Sequence, residues 1–201
     1  MSRPLRADAQ ANHDRLVAVA ARTFSRDGAD TSLKAIAAEA GVGIGTLYRR
    51  FPTREDLVEA VYRSETTRLS GSAAQLLADH PPREALQAWM EQFVDHMGTK
   101  RRLADALPVI LATREGLRGR SRAALAGAIA TLLDAGVASG DLRTGLDPSD
   151  VLIALGGITL ISGHEGEREL ASRLVVLLLD GLGRPRPARS RDDPGDLRHV
   201  H

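Results

Sequence analysis

The run SLKAIAAEAGVGIGTLYRRF, residues 32–51, holds the side chains with the most chemistry to offer. On a helical wheel begun at Ile44, the apolar Ile44, Leu47 and Phe51 share one side. Thr46, Arg49 and Arg50 share the other, with Gly45 beside them and Tyr48 at the border. That outer face suits nucleic acid. An arginine fork pairs with the acceptors of guanine, a threonine hydroxyl bonds base or phosphate, and a glycine lets backbone come close. Ahead of it, Leu33, Ile36, Ala37 and Ala40 recur at helical spacing and imply a buried side, and Gly41 can end that helix in a turn. Two short helices joined by a glycine turn make a helix-turn-helix.

Other chemistries have less support. Zero cysteine removes disulfides, thiolate metal sites and a thiol nucleophile. Gly41, Gly43 and Gly45 are spaced loosely like a phosphate-binding loop, but such a loop follows a strand, and here a helical pattern precedes it. His164-Glu165 opens like a zinc-protease motif, yet position 168 is Arg; His199 and His201 close a stretch with no apolar period. The expectation is a non-enzyme with no catalytic residue, no metal and no cofactor.

Charge supports the nucleic-acid reading. The chain has 27 Lys and Arg against 26 Asp and Glu, unevenly spread. Residues 1–54 carry nine cations (Arg3, Arg6, Arg15, Arg22, Arg26, Lys34, Arg49, Arg50, Arg54) and five anions (Asp8, Asp14, Asp27, Asp30, Glu39), a net +4. A basic N-terminal quarter points to a polyanion at that end. The start Met1-Ser2-Arg3-Pro4-Leu5-Arg6 lacks the apolar core of a signal peptide. The apolar stretches Val151–Ile161 and Leu174–Leu182 fall short of the roughly 20 residues a membrane helix takes. The expectation is therefore a cytoplasmic protein with no membrane partner, nucleoid-associated when bound.

Along the rest of the chain the apolar spacing is helical and no window alternates as a strand does, so the expected class is all-α. Helices are expected from Asn12, as N-cap, to about Asp27; from Thr31-Ser32 to Gly41; over Ile44–Phe51; and from Arg54 to about Asp79, capped by Thr53 after Pro52. Further ones follow over Arg83–Gly98, within Arg101–Arg114, over Gly119–Ser139, from Asp147-Pro148 to about Gly163, and over Glu167–Gly183. Residues 1–11 read as a flexible basic arm and 184–201 as a disordered tail.

The longer run Thr31-Ser32, Ile36-Ala37, Ala40-Gly41-Val42 and Gly45-Thr46-Leu47-Tyr48-Arg49-Arg50-Phe51-Pro52-Thr53-Arg54-Glu55-Asp56-Leu57 closely resembles the N-terminal signature of TetR-family transcriptional regulators. The resemblance covers residues 12–60, and Gly43-Ile44-Gly45 resembles a subgroup with an SbtR-like C-terminal domain. It implies a three-helix DNA-binding domain at 12–53, with its motif at 32–51, and a larger helical effector-binding and dimerisation domain at 54–183. It further implies that Thr31 or Ser32 caps the second helix and touches phosphate, that Thr46, Tyr48 and Arg49 lie at the groove, and that Arg54 stands where the family usually has a phosphate-reaching lysine. Lys34 and Arg50 are further candidate contacts. Ala35 departs from the acid that often completes the Ser32 cap, and Gly43 lacks a hydroxyl often present there.

By the same resemblance the function is a ligand-responsive regulator, most often a repressor, binding a palindromic operator as a homodimer. The alternative is a helical adaptor that binds no DNA. Val151, Leu152, Leu155, Gly156, Ile158, Thr159 and Ser162, then Leu170, Leu174, Leu177 and Leu178, make two helices apolar over much of their girth. Such helices need burial on more than one side, which fits a dimer interface. Trp89, Phe93, His96 and Met97 form a bulky stripe, and Leu103, Leu107 and Leu111 could close a pocket over it. Few charges point there, so an apolar or aromatic small molecule is the expected effector.

Overall fold

The computed structural model describes residues 3–28, 31–102, 107–114, 116–161 and 168–184. Among these residues there are nine α-helices and no strand: α1 (Arg3–Asp27), α2 (Leu33–Glu39), α3 (Ile44–Arg50), α4 (Arg54–Asp79), α5 (Pro82–Arg102), α6 (Leu107–Thr113), α7 (Leu117–Ala138), α8 (Pro148–Ile161) and α9 (Arg168–Leu182). One isolated antiparallel bridge joins Leu142 to Gly183.

Local chemistry sets several boundaries. Gly28 ends α1 at φ +82°, donating its N–H to the Phe24 carbonyl at 3.0 Å. Thr53 and Asp56 form a reciprocal capping box at the start of α4. Asp147 accepts from the Ser149 N–H at 2.7 Å, with Pro148 as the first residue of α8.

Other boundaries correct the sequence reading. The first helix starts at Arg3, inside the stretch read as an arm, and Asn12 lies within it rather than capping it. The fifth helix runs past Gly98 to Arg102. Residues 185–201, read as a tail, lie outside the described residues, as do His164, Glu165, His199 and His201.

The buried side chains form two clusters. The first joins Leu16, Ala20 and Phe24 of α1, Ile36 of α2, Leu47 of α3, Leu57, Val58 and Val61 of α4, and Leu107 and Ile110 of α6. The second joins Leu69 and Ala73 of α4 to Trp89, Met90 and Phe93 of α5, Ile129 and Leu132 of α7, Leu155 of α8, and Val175 and Leu179 of α9. Thus α4 belongs to both cores, its first half to one and its second half to the other. The first core also reaches beyond residue 53, taking in the start of α4 and Leu107 and Ile110 of α6.

The seventh helix matches the one expected over Gly119–Ser139, starting two residues earlier and ending one sooner. By length and composition it is apolar enough to cross a membrane. In this fold it packs against α4, α5 and α8, burying Leu125, Ala128, Ile129, Leu132 and Leu133. Its Gly136 sits under Leu142: a Cβ there would lie 2.4 Å from Leu142 Cδ1.

Candidate nucleic-acid interface

Ser32 caps α2 by accepting from the Ala35 N–H at 3.1 Å, so the cap forms without an acid at position 35. Gly41, at φ +68°, then turns the chain, and Val42 N–H returns to the Ala37 carbonyl at 3.0 Å. This turn aims α3. Leu47 is fully buried beneath it and Phe51 closes its end, while Gly45, Tyr48, Arg49 and Arg50 are exposed. Tyr48 is 50% exposed, a large aromatic presented to the outside. A Cβ added at Gly45 would meet no protein atom within 4 Å, so the fold itself does not require glycine there.

The cationic side chains divide. Arg49 stays on the outer face, donating from Nη2 to Thr46 Oγ1 at 3.1 Å. Arg50 turns back toward α1 and donates from Nε to His13 Nδ1 at 3.0 Å. The His13 ring lies 5.2 Å from that of Phe51. Burial first, and the Arg50 charge second, push the His13 pKa below its ordinary value; Asp14 opposes this. Arg54 donates from Nη2 to the Thr31 carbonyl at 2.7 Å, and the Thr31 hydroxyl donates to Gly28 at 3.0 Å, so this corner is laced to itself. Lys34 is exposed beside it.

Two partners were not legible in the sequence. His13 stands 37 positions from Arg50, with no spacing to connect them. Arg114, just after α6, reaches Asp56 at 2.6 Å and Glu59 at 3.3 Å, tying α6 to the start of α4. The Thr53 side-chain hydrogen bond, then the Thr53 amide and Arg114, hold the Asp56 carboxyl below its ordinary pKa.

The residues read as a pocket are not all brought together. Trp89 and Phe93 stack at 5.9 Å inside the second core, and the indole N–H donates to the Leu69 carbonyl of α4 at 2.8 Å. His96 is buried 6.5 Å from Phe93 and 6.4 Å from Tyr62, and Met97 is half-buried against the same core. Leu107 and Leu111 instead join the first core, because α6 folds back along the early part of α4. Leu103 lies outside the described residues. One cleft of about 800 Å³ opens between α1 and α4 beside Arg50, and one of about 930 Å³ beside Arg83 and Arg143; neither is lined by Trp89 or Phe93.

The residues read as an interface also divide. Val151, Leu152, Leu155 and Thr159 are buried within the chain's own second core or at its edge, while Gly156, Ile158, Leu170, Leu174 and Leu178 are half-buried. Leu177 is 66% exposed, and Ser162 lies outside the described residues. Unforeseen, Ile153 at 56% and Leu160 at 78% are exposed too, with Val176. Apolar composition on all sides of α8 concealed which side the chain itself covers.

A short exposed helix bearing Gly, Thr, Tyr and Arg, set by a glycine turn on a three-helix base, defines a helix-turn-helix DNA-binding regulator. Residues 16–61 match the model of bacterial regulatory proteins of the tetR family, and residues 81–184 that of the SbtR-like transcriptional regulator C-terminal domain. The chain belongs to the TetR family of transcriptional regulators. It is similar to a TetR transcriptional regulator from Streptomyces coelicolor, with 46% identity, 85% of this chain and 97% of that one covered, and a TM-score of 0.77. It is also similar to a TetR regulatory protein from Mycobacterium vanbaalenii, with 32% identity, 90% and 100% covered, and a TM-score of 0.72. An HTH-type transcriptional regulator of Staphylococcus aureus is 41% identical over 54 residues, 26% of this chain; the match spans only 29% of that curated relative. The chain is thus a DNA-binding transcription regulator, not an enzyme, in a family whose members bind operator DNA and typically dimerise.

Proposed function

We propose that this chain is a ligand-responsive repressor that binds a palindromic operator in the cytoplasm as a homodimer and is released by a small apolar or aromatic effector. The observation that carries this reading is the double membership of α4. Its first turn sits directly behind the recognition helix α3, with only Phe51, Pro52 and Thr53 between. Its later turns hold the Trp89 indole through Leu69. A ligand that repacks the Trp89 stripe therefore moves one rigid helix whose other end orients α3.

Residues from Thr31 to Arg54 supply the contacts to DNA. Tyr48 and Arg49 face the groove, Thr46 lies beside them, and Thr31, Ser32, Lys34 and Arg54 lie toward the phosphates. The exposed Ile153, Leu160, Val176 and Leu177 supply a face for a second copy. Two-fold symmetry then sets two recognition helices at half-sites about 34 Å apart. The effector's polar group has a candidate receiver in Thr66 of α4, one helical turn after Tyr62, whose Oγ1 is buried with no hydrogen-bond partner. A buried hydroxyl left without a partner costs free energy that a ligand would recover.

The switch follows from differential affinity: an effector that prefers the non-binding spacing of the two α3 helices lowers operator affinity, and operator lowers effector affinity by the same factor. A selection from random DNA tests the first half. Enrichment of a palindrome supports it, and no enrichment refutes it. Screening apolar and aromatic compounds by quenching of Trp89, then titrating a hit with and without operator, tests the second half. Equal affinities in the two titrations refute the switch for that compound.

A further inference from the structure

We propose that Thr46 is the positioning residue for base recognition, holding the Arg49 guanidinium in reading position, and that Arg50 reads no base. This rests on the operator reading above. Arg49 Nη2 donates to Thr46 Oγ1 at 3.1 Å, one turn earlier on the same helix face. A guanidinium has five N–H donors, so this bond leaves a fork for the O6 and N7 of a guanine. It also removes side-chain freedom that a mobile arginine would lose on binding. Thr46 accepts in this bond, so its own O–H remains able to donate. Gly45, with open space around its Cα, keeps the approach beside Thr46 clear.

Arg50 is differently placed. Successive residues on a helix point about 100° apart, so two adjacent arginines cannot address the same base from one face. Its Nε is committed to His13 Nδ1 at 3.0 Å, and His13 packs on Phe51. To reach a base edge Arg50 would release this tie between the end of α3 and α1. The tie fixes the angle of the recognition helix; it does not read sequence.

The experiment is a random-DNA selection followed by affinity measurements on the full chain, with thermal melts as a folding check. Thr46→Val keeps the branched shape and removes the acceptor; Thr46→Ala removes it with less bulk; Thr46→Ser retains it. Arg49→Ala should lose about tenfold preference at one base position, within the range of a bidentate pair. Thr46→Val and Thr46→Ala should lose preference at that same position, and Thr46→Ser should restore it. Arg50→Ala should weaken all sequences alike and keep the wild-type base preference. Three results overturn the proposal: wild-type preference in both acceptor-less variants, a uniform loss in them with preference intact, or a lost base preference in Arg50→Ala. A wild-type chain that enriches no sequence instead overturns the operator reading, and this proposal with it.

Discussion

Glutamate at Leu160 should split the proposed dimer and spare the protomer, whereas glutamate at Leu155 should unfold the protomer. The sequence reading names Leu155 for an interface and omits Leu160; the structure buries the first and exposes the second. Leu160 is 78% exposed, and Leu155 is fully buried in the second core. Burying a leucine completely is worth roughly 1.5–3 kcal/mol, so Leu160 has about 1.5 kcal/mol to give an interface. A two-fold dimer contains the change twice, which makes about 3 kcal/mol, or roughly a hundredfold in the dimer dissociation constant. Stripping water from two carboxylates raises the loss further. At Leu155 the new carboxylate would sit unpaired among Trp89, Leu132 and Val175 of the same core, at a cost of several kcal/mol. That is a large part of the roughly 5–15 kcal/mol that holds a domain together. Sedimentation equilibrium reads the first effect and thermal melting the second. A Leu160→Glu chain that dimerises as tightly as wild type refutes the interface, and one that melts as early as Leu155→Glu refutes the placement of Leu160.

Three further outcomes are expected. Because the folded His13 is harder to protonate than the unfolded one, its contribution to stability is full above about pH 6.5 and is lost as pH falls toward the folded value. Melts across that range should fall more steeply for wild type than for His13→Asn, and parallel curves would contradict the lowered pKa of His13. Gly136→Ala drives a methyl into Leu142, whose own amide is held by the Gly136 carbonyl at 3.0 Å. Overpacking of about 1–3 kcal/mol should outweigh the up to about 1 kcal/mol gained by removing a helical glycine. A raised melting temperature would show that Leu142 moves aside freely. Arg114 is nearly half exposed, so Arg114→Ala should cost less than about 1 kcal/mol of stability. It should nonetheless weaken the transmission of effector binding to operator release, read as a smaller difference between effector affinities with and without DNA.

Much of the N-terminal part was legible because its determinants are local. Ser32, Gly41, Thr53 and the spacing of Leu33, Ile36 and Leu47 each act within a turn or two, and each does in the fold what its residue type suggests. The start of α1 was not legible: Arg3 to Ala11 is polar and alanine-rich, without the apolar period that marks a packed helix, and Asn12 is a cap residue by type only. Arg50 projects outward on a wheel, but its side chain follows a histidine on another helix. Leu107 and Leu111 have the apolar character to close a pocket over Trp89; α6 takes them to the other core. For α8 the composition announced burial on several sides without saying which side the chain's own core would claim. For Arg50, α6 and α8 the missing information is a long-range contact, and helical periodicity carries none.

The sharing of α4 between two cores also bears on how the molecule comes apart. With Leu57, Val58 and Val61 in one cluster and Leu69 and Ala73 in the other, neither cluster can lose its packing without fraying a helix the other depends on. Leu107 and Ile110 bind the head a second time through a segment that comes after α5 in the chain. The DNA-binding head is therefore no separable folding unit. Calorimetry should show one cooperative transition with the calorimetric and van't Hoff enthalpies in agreement, and limited proteolysis should not release a stable head from the folded protein.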